Sequence, residues 1–189
     1  AASDVYKRQI DAHFQNSNRL ANSSFQDKRA LVTAGPTIEV IDPVRFVSNR
    51  SSGKMGYAIA EALRNRGAIV TLVAGPTTLE DPKDIEVIHV QSAEEMFEQV
   101  TSRFDEQDIV VKAAAVSDYT PVDVLEHKMK KQDGDLSVSF KRTKDILKYL
   151  GEHKTSQYLI GFAAETEDIE NYAQQKLRKK NADVIISNN

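Results

Sequence analysis

The chain has 189 residues, 40% hydrophobic and 28% charged, with a formal net charge of −3. That balance suits one soluble domain with a proper core, offers no overall attraction to nucleic acid or an anionic membrane, and includes no apolar run near the ~20 residues of a membrane span. The absence of cysteine excludes disulfides, thiolate metal sites and a cysteine nucleophile and agrees with a reducing cytoplasm; His13, His89, His127 and His153 have no zinc-binding spacing, so no protein-held metal is expected.

Residues 1–27 are polar, include the Asn/Ser-rich NSNRLANSS and have no signal-peptide core, so they are expected to be a linker or a non-native tail. From Lys28 onward apolar strands alternate with helices. The pattern predicts strands at 29–34, 69–74, 85–90, 108–114, 158–162 and 183–187, and helices at 55–66, 92–104, 144–153 and 168–181, with apolar spacings such as Met96, Phe97 and Val100. Short, continuous apolar strands between helices imply an α/β, Rossmann-like fold: a mostly parallel sheet covered on both faces. His127 to Arg142 departs from this rhythm. Its Lys-rich start, its Gln132-Asp133-Gly134-Asp135 turn and the alternation of Leu136, Val138 and Phe140 predict a β-hairpin flap beside the site. Neither an internal repeat nor a second domain is visible.

Between the first strand and first helix lies Thr33 to Tyr57, far longer than the ~2–6 residues that usually join such elements. A loop of that length, rich in Gly, Pro, Ser and Asn and anchored by Val40, Ile41, Val44, Phe46 and Val47, reads as a ligand loop. Gly35 follows the strand. Ser51, Ser52, Gly53 and Gly56 stand where the helix begins, so backbone N–H groups and the positive helix end can meet an anion. The stretch is neither a P-loop, because Met55 follows Gly53-Lys54, nor a GxGxxG turn. Further polar clusters follow the other strands at Gly75 to Thr77, Ala115 to Tyr119 and Ala163 to Thr166, all on the carboxyl edge where such folds bind ligands.

Single residues carry two readings each. Arg45 offers forked donors for phosphate or carboxylate, or pairs with Asp42 as a loop staple; Asn49 offers a neutral donor for an acyl oxygen, or holds the loop. Asp118 is placed to accept from a base or ribose, or to cap a turn. Lys128, Lys130 and Lys131 would ordinarily be a solvated charge run. Lys176 and Lys180 share one helix face by their i, i+4 spacing.

Taken together, TAGPTIEVIDPVRFVSNRSSGKMGY (33–57), AAAVSDYTP (113–121), EHKMKK (126–131), GFAAETED (161–168) and KLRKKNADVIISNN (176–189) resemble, in order, bacterial phosphopantothenoylcysteine synthetase, one activity of a usually bifunctional coenzyme A biosynthesis protein. The resemblance runs from about Lys28 to Asn189. It implies a ligase in which the carboxylate of 4′-phosphopantothenate attacks CTP to give an acyl-cytidylate, and L-cysteine then displaces CMP. Mg²⁺ would arrive with the CTP. It further implies catalytic roles for Arg45, Asn49 and Lys128, the lysine neutralising phosphate charge. Nucleotide contacts are expected from Gly35, Ser52, Gly53, Ala113, Ala114, Ala115, Asp118 and Lys128, and from Asp145, Ile146, Phe162, Lys176 and Lys180. A homodimer is implied too, as is fusion to a flavin-dependent decarboxylase that would hold FMN before this domain; relatives continue beyond the position of Asn189 by several tens of residues.

Two positions depart from the family. Thr143-Lys144-Asp145-Ile146 stands where Asn-Pro-Asp-Ile is usual, with Thr143 as the expected helix N-cap, and Lys112 replaces a small or apolar residue in a strand. A non-catalytic nucleotide-binding module remains a second reading. A Rossmann NAD(P) oxidoreductase is a third, although Gly75-Pro76-Thr77 offers neither its glycine fingerprint nor its ribose-binding acid.

Overall fold

The apolar runs read from the sequence become the strands of one sheet in the computed structural model, which describes residues 25–131, 135–164 and 169–188. Residues 1–24 of the linker or tail expected over 1–27, residues 132–134 of the expected turn, residues 165–168 and residue 189 lie outside the described residues. In chain order the strands are β1 (Arg29–Ala34), β2 (Ile38–Val40), β3 (Phe46–Ser48), β4 (Ile69–Ala74), β5 (Glu86–His89), β6 (Ile109–Lys112), β7 (Tyr119–Pro121), β8 (Phe140–Arg142), β9 (Tyr158–Ala164) and β10 (Val184–Asn188). The helices are α1 (Lys54–Asn65), α2 (Ala93–Thr101), α3 (Ile146–His153) and α4 (Ile169–Lys179).

Six strands pair in the order β10-β9-β6-β1-β4-β5, every pairing parallel. Counted along the chain this is the doubly wound order whose direction reverses between β1 and β6, so a crevice opens at the carboxyl ends of those two strands. Alternate side chains of each strand feed opposite cores. Val32, Leu72, Val111 and Ile160 pack on the face covered by Ile59 and Leu63 of α1, whereas Leu31, Val73, Val110 and Leu159 meet Met96 and Val100 of α2 and Leu147 and Leu150 of α3. Fully burying an aliphatic side chain of this kind contributes ~1.5–3 kcal/mol, which the two-faced burial of each strand roughly doubles per residue pair.

Local chemistry sets the helix ends. Ser92 caps α2 by accepting from Glu95 N at 3.1 Å, and the helix stops at Thr101, short of the expected 104, because the chain tightens into a 3₁₀ turn at Phe104–Glu106 that buries Phe104. Asp145, rather than the expected Thr143, caps α3, its carboxylate accepting from Lys148 N at 2.9 Å. Thr143 instead donates its hydroxyl to the Ser117 carbonyl at 2.6 Å.

Two small ribbons rise from the sheet's carboxyl edge. The long first loop folds back on itself, β2 pairing antiparallel with β3. The second ribbon corrects the expected hairpin within 127–142: Leu136 and Val138 lie in no strand, and among the described residues of that stretch Phe140–Arg142 alone pairs, antiparallel with Tyr119–Pro121. Leu136 and Phe140 are both exposed, and the strand that pairs with Phe140–Arg142 lies before the lysine-rich segment, a distance that sequence periodicity does not report.

Candidate active site

The floor of the site is built from backbone. Ala115 N donates to the Gly35 carbonyl at 2.9 Å, Thr37 N returns a bond to the Ala115 carbonyl at 3.3 Å, and the Thr33 and Thr37 hydroxyls accept from Ala114 N and Ser117 N at 3.1 and 3.0 Å. These bonds lace the loops after β1 and β6 across the switch point. Gly53, the residue before α1, has φ +77°, and a Cβ there would lie 2.8 Å from Thr77 Cγ2; neither the backbone nor the space admits a side chain. Ser52 is exposed beside it, so the start of α1 faces open space. Asn49 projects over this floor, one amide proton held by the Ala115 carbonyl at 2.9 Å and the other only loosely directed at Ser117 Oγ, 3.5 Å away.

Arg45 lies to the side. Asp42, fully buried in the first ribbon, accepts from Val44 N and Arg45 N, each at 2.8 Å, from Arg45 Nη1 at 2.7 Å and from Met129 N at 3.1 Å. Burial works to raise the Asp42 pKa, but these hydrogen bonds outweigh it and hold the carboxyl at about 2. Arg45 thus takes the staple geometry, joining its own loop to the segment that carries Lys128. Lys128 itself is exposed next to that anchor and does not line the cleft described next.

That cleft, about 300 Å³, opens at the carboxyl ends of β6 and β9 against the starts of α3 and the end of α4. Of the expected nucleotide residues it gathers Asp118, Asp145, Ile146, Phe162, Lys176 and Lys180, and it adds Lys112, Arg142, Thr143 and Lys144. The described lining thus carries five cationic residues and two carboxylates, with the Lys144 ammonium turned to Glu94 of α2. Lys176 donates to the Phe162 carbonyl at 2.8 Å, and Lys180 pairs with Asp145 at 2.5 Å. Partial burial opposes ionisation of Asp145, yet the Lys180 ammonium and the Lys148 N–H keep its pKa below the ordinary value. Ala114, Ala115 and Gly35 belong to the laced floor, with Ala113 leading into it from β6 and Ser52 and Gly53 on the α1 side. Of the added residues, Lys112 left a signal in the sequence, a charge closing an apolar strand. Arg142 and Thr143 left none, because their place depends on the β7–β8 pairing.

A doubly wound α/β domain with a cationic cleft beside its switch point defines the class. Residues 25–189 match the DNA/pantothenate metabolism flavoprotein C-terminal domain, and the chain belongs to that family. It is 56% identical over 168 residues to the coenzyme A biosynthesis bifunctional protein CoaBC of Bacillus subtilis (strain 168), an alignment covering 88% of the chain and 41% of that relative. The chain thus spans well under half the length of this curated relative. A second relative, from an unknown prokaryotic organism, is 45% identical over 177 residues, covering 93% of the chain and 49% of its own length, and is named cysteine/cysteine sulfinic acid decarboxylase. The crystal structure of the C-terminal domain of a CoaBC superposes with a TM-score of 0.79 at 51% identity, covering 88% of the chain and 80% of that structure. Among the described residues no helix is long and apolar enough to cross a membrane.

Proposed function

We propose that the chain is the phosphopantothenate–cysteine ligase of coenzyme A biosynthesis and that it uses CTP. The observation that carries this reading is the excess of cationic side chains around the cleft, which suits a phosphate-rich ligand, in a chain more than half identical to a protein named for coenzyme A biosynthesis. A carboxylate does not react with an amine until one oxygen becomes a good leaving group. In the proposed reaction a carboxylate oxygen of 4′-phosphopantothenate bonds to the α-phosphorus of CTP as pyrophosphate leaves; the cysteine amine then bonds to the acyl carbon, CMP leaves and the amine loses a proton. Lys176 and Lys180 neutralise the phosphates, Phe162 packs near the base and Asp118 accepts from the nucleoside. Asn49 donates to the acyl oxygen, and Lys128 and Arg45 serve from the ribbon side.

Mg²⁺ fits this donor set only as a companion of the nucleotide. Asp145 is committed to Lys180 and to the start of α3, which leaves Asp118 as the cleft carboxylate able to reach it, and the ion would supply charge neutralisation on the phosphates. FMN belongs, in this reading, to a decarboxylase activity outside this chain.

Pyrophosphate release that requires both CTP and 4′-phosphopantothenate is the expected result. The relative named for a decarboxylase marks the competing reading; carbon dioxide release from cysteine without any nucleotide would replace this proposal, and ATP serving as well as CTP would overturn the choice of base.

A second copy of the chain is the proposed partner. Val44 and Phe46 on the first ribbon and Val122, Val124 and Leu136 near the second are all exposed, an apolar surface of the kind that marks association. Light scattering is expected to give twice the monomer mass, falling to one for a Phe46→Glu, Val124→Glu variant; a monomeric wild type would end this part of the reading.

A further inference from the structure

We propose that Lys112 is a further phosphate-binding residue of the cleft, an ammonium supplied from the end of β6 to the phosphates of the nucleotide. This rests on the nucleotide reading above. The three residues before it, Ile109, Val110 and Val111, are buried strand core, so a lysine as the fourth needs an explanation. Its neighbours across the sheet are small. On one side its register partner is Thr33; on the other it is Gly161, where a Cβ would come within 2.7 Å of Leu147 Cδ2. Lys112 is half-buried and lines the cleft, the position from which a lysine can lay its stem on apolar strand and present its ammonium to a polar space.

What distinguishes Lys112 from the other cleft lysines is how little holds it. Lys180 is paired with Asp145 and Lys176 donates to Phe162, whereas the described hydrogen bond of Lys112 is one 3.3 Å donation to the Ala114 carbonyl, with no described carboxylate at ion-pair distance. An ammonium carries three protons, so most of its donor capacity points toward whatever fills the cleft. The charged groups around it come from every neighbouring element: Asp118 from the loop after β6, Arg142 from β8, Asp145 ahead of α3, Lys176 from α4 and Lys180 just beyond it, while the Lys144 ammonium is turned to Glu94 of α2. Burial, then the Lys176 charge, lower its pKa to about 8 against the opposing pull of Asp145 and Asp118. A bound triphosphate adds negative charge and draws a proton back on.

This sets the test apart from a packing role. Calorimetric titration of the full chain with CTP and Mg²⁺ near pH 8, in two buffers of different ionisation enthalpy, should show uptake of about half a proton per site, the fraction missing at a pH equal to the pKa. Lys112→Met, which keeps the stem, should abolish that uptake and weaken CTP binding at neutral pH about tenfold, the loss of one charge-assisted hydrogen bond. Lys112→Arg should bind as the wild type does at neutral pH and keep its affinity as the solution is made alkaline, where the wild type weakens. Unchanged affinity and proton uptake in Lys112→Met overturn the inference. So does uptake linked to Lys112 with 4′-phosphopantothenate alone and not with CTP. Failure of the wild type to bind CTP at any pH overturns the nucleotide reading itself and this inference with it.

Discussion

Asn49→Ala is expected to leave pyrophosphate release intact while slowing amide formation by roughly two to three orders of magnitude, the usual loss when one donor to a developing oxyanion is removed. The geometry gives the reason. Asn49 has no charge with which to offset a triphosphate, and its amide is anchored by one proton on the Ala115 carbonyl at 2.9 Å, leaving the second, only loosely directed at Ser117, for a reacting oxygen. Lys128→Ala supplies the contrast: a cation that follows the departing phosphates acts in the first half-reaction, so pyrophosphate release itself should fall. Because Lys128 stands outside the cleft, that result also measures whether its segment meets the nucleotide. Quenched-flow mass spectrometry follows acyl-cytidylate and amide separately. Equal loss of pyrophosphate release in both variants would make Asn49 a staple of the long loop and nothing more.

Gly75→Ala is expected to be among the most damaging glycine-to-alanine changes at the described residues. A Cβ at Gly75 would fall 1.7 Å from the Pro36 carbonyl oxygen, and Pro36 is bridged in turn to Ala115, so the collision reaches the laced floor. Neither partner is a flexible side chain that can step aside. Forcing a methyl into packed structure costs ~1–3 kcal/mol and more where backbone must move; at about 3 kcal/mol the melting temperature of a domain this size drops by roughly 6–12 °C. Gly67→Ala, remote from the floor and strained for a reason of its own, a φ of +95°, shows what a strained glycine costs elsewhere in the fold. A Gly75→Ala protein that melts with the wild type would mean that the loops after β1 and β4 do not meet as described.

The sheet was legible because its signal is local. Strands such as IVTLVA and IEVIHV declare themselves by continuous apolar composition, and their alternation with helices leaves few arrangements besides a doubly wound sheet. The carboxyl edge followed from that order, but the six expected residues that share one cleft came from the family resemblance, and of them the strand-end clusters hold Asp118 alone. What the sequence concealed was pairing at a distance. Nothing near Phe140 names Tyr119–Pro121 as its partner, so Arg142 and Thr143 could not be assigned to the cleft. Arg45 was ambiguous for a different reason: one arginine serves a phosphate or an aspartate three residues away equally well by type, and the fold pairs it with the buried Asp42. The cap of α3 moved from Thr143 to Asp145 because the threonine hydroxyl found a carbonyl on another loop.

The segment ahead of α3 shows how the same wall can be held by different means. Where the family usually has proline, Lys144 pairs with Glu94 of α2, and its ammonium sits 4.8 Å from the centre of the Phe97 ring. A proline ring restrains the chain before it folds as well as after, lowering the entropy of the unfolded ensemble. An exposed ion pair and a ring contact exist only once the chain has folded; they are worth little singly and are screened by salt. The wall of the cleft is therefore steadied by the surface of its neighbour helix, and its stiffness is set by ionic strength where a proline would have made it a covalent constant.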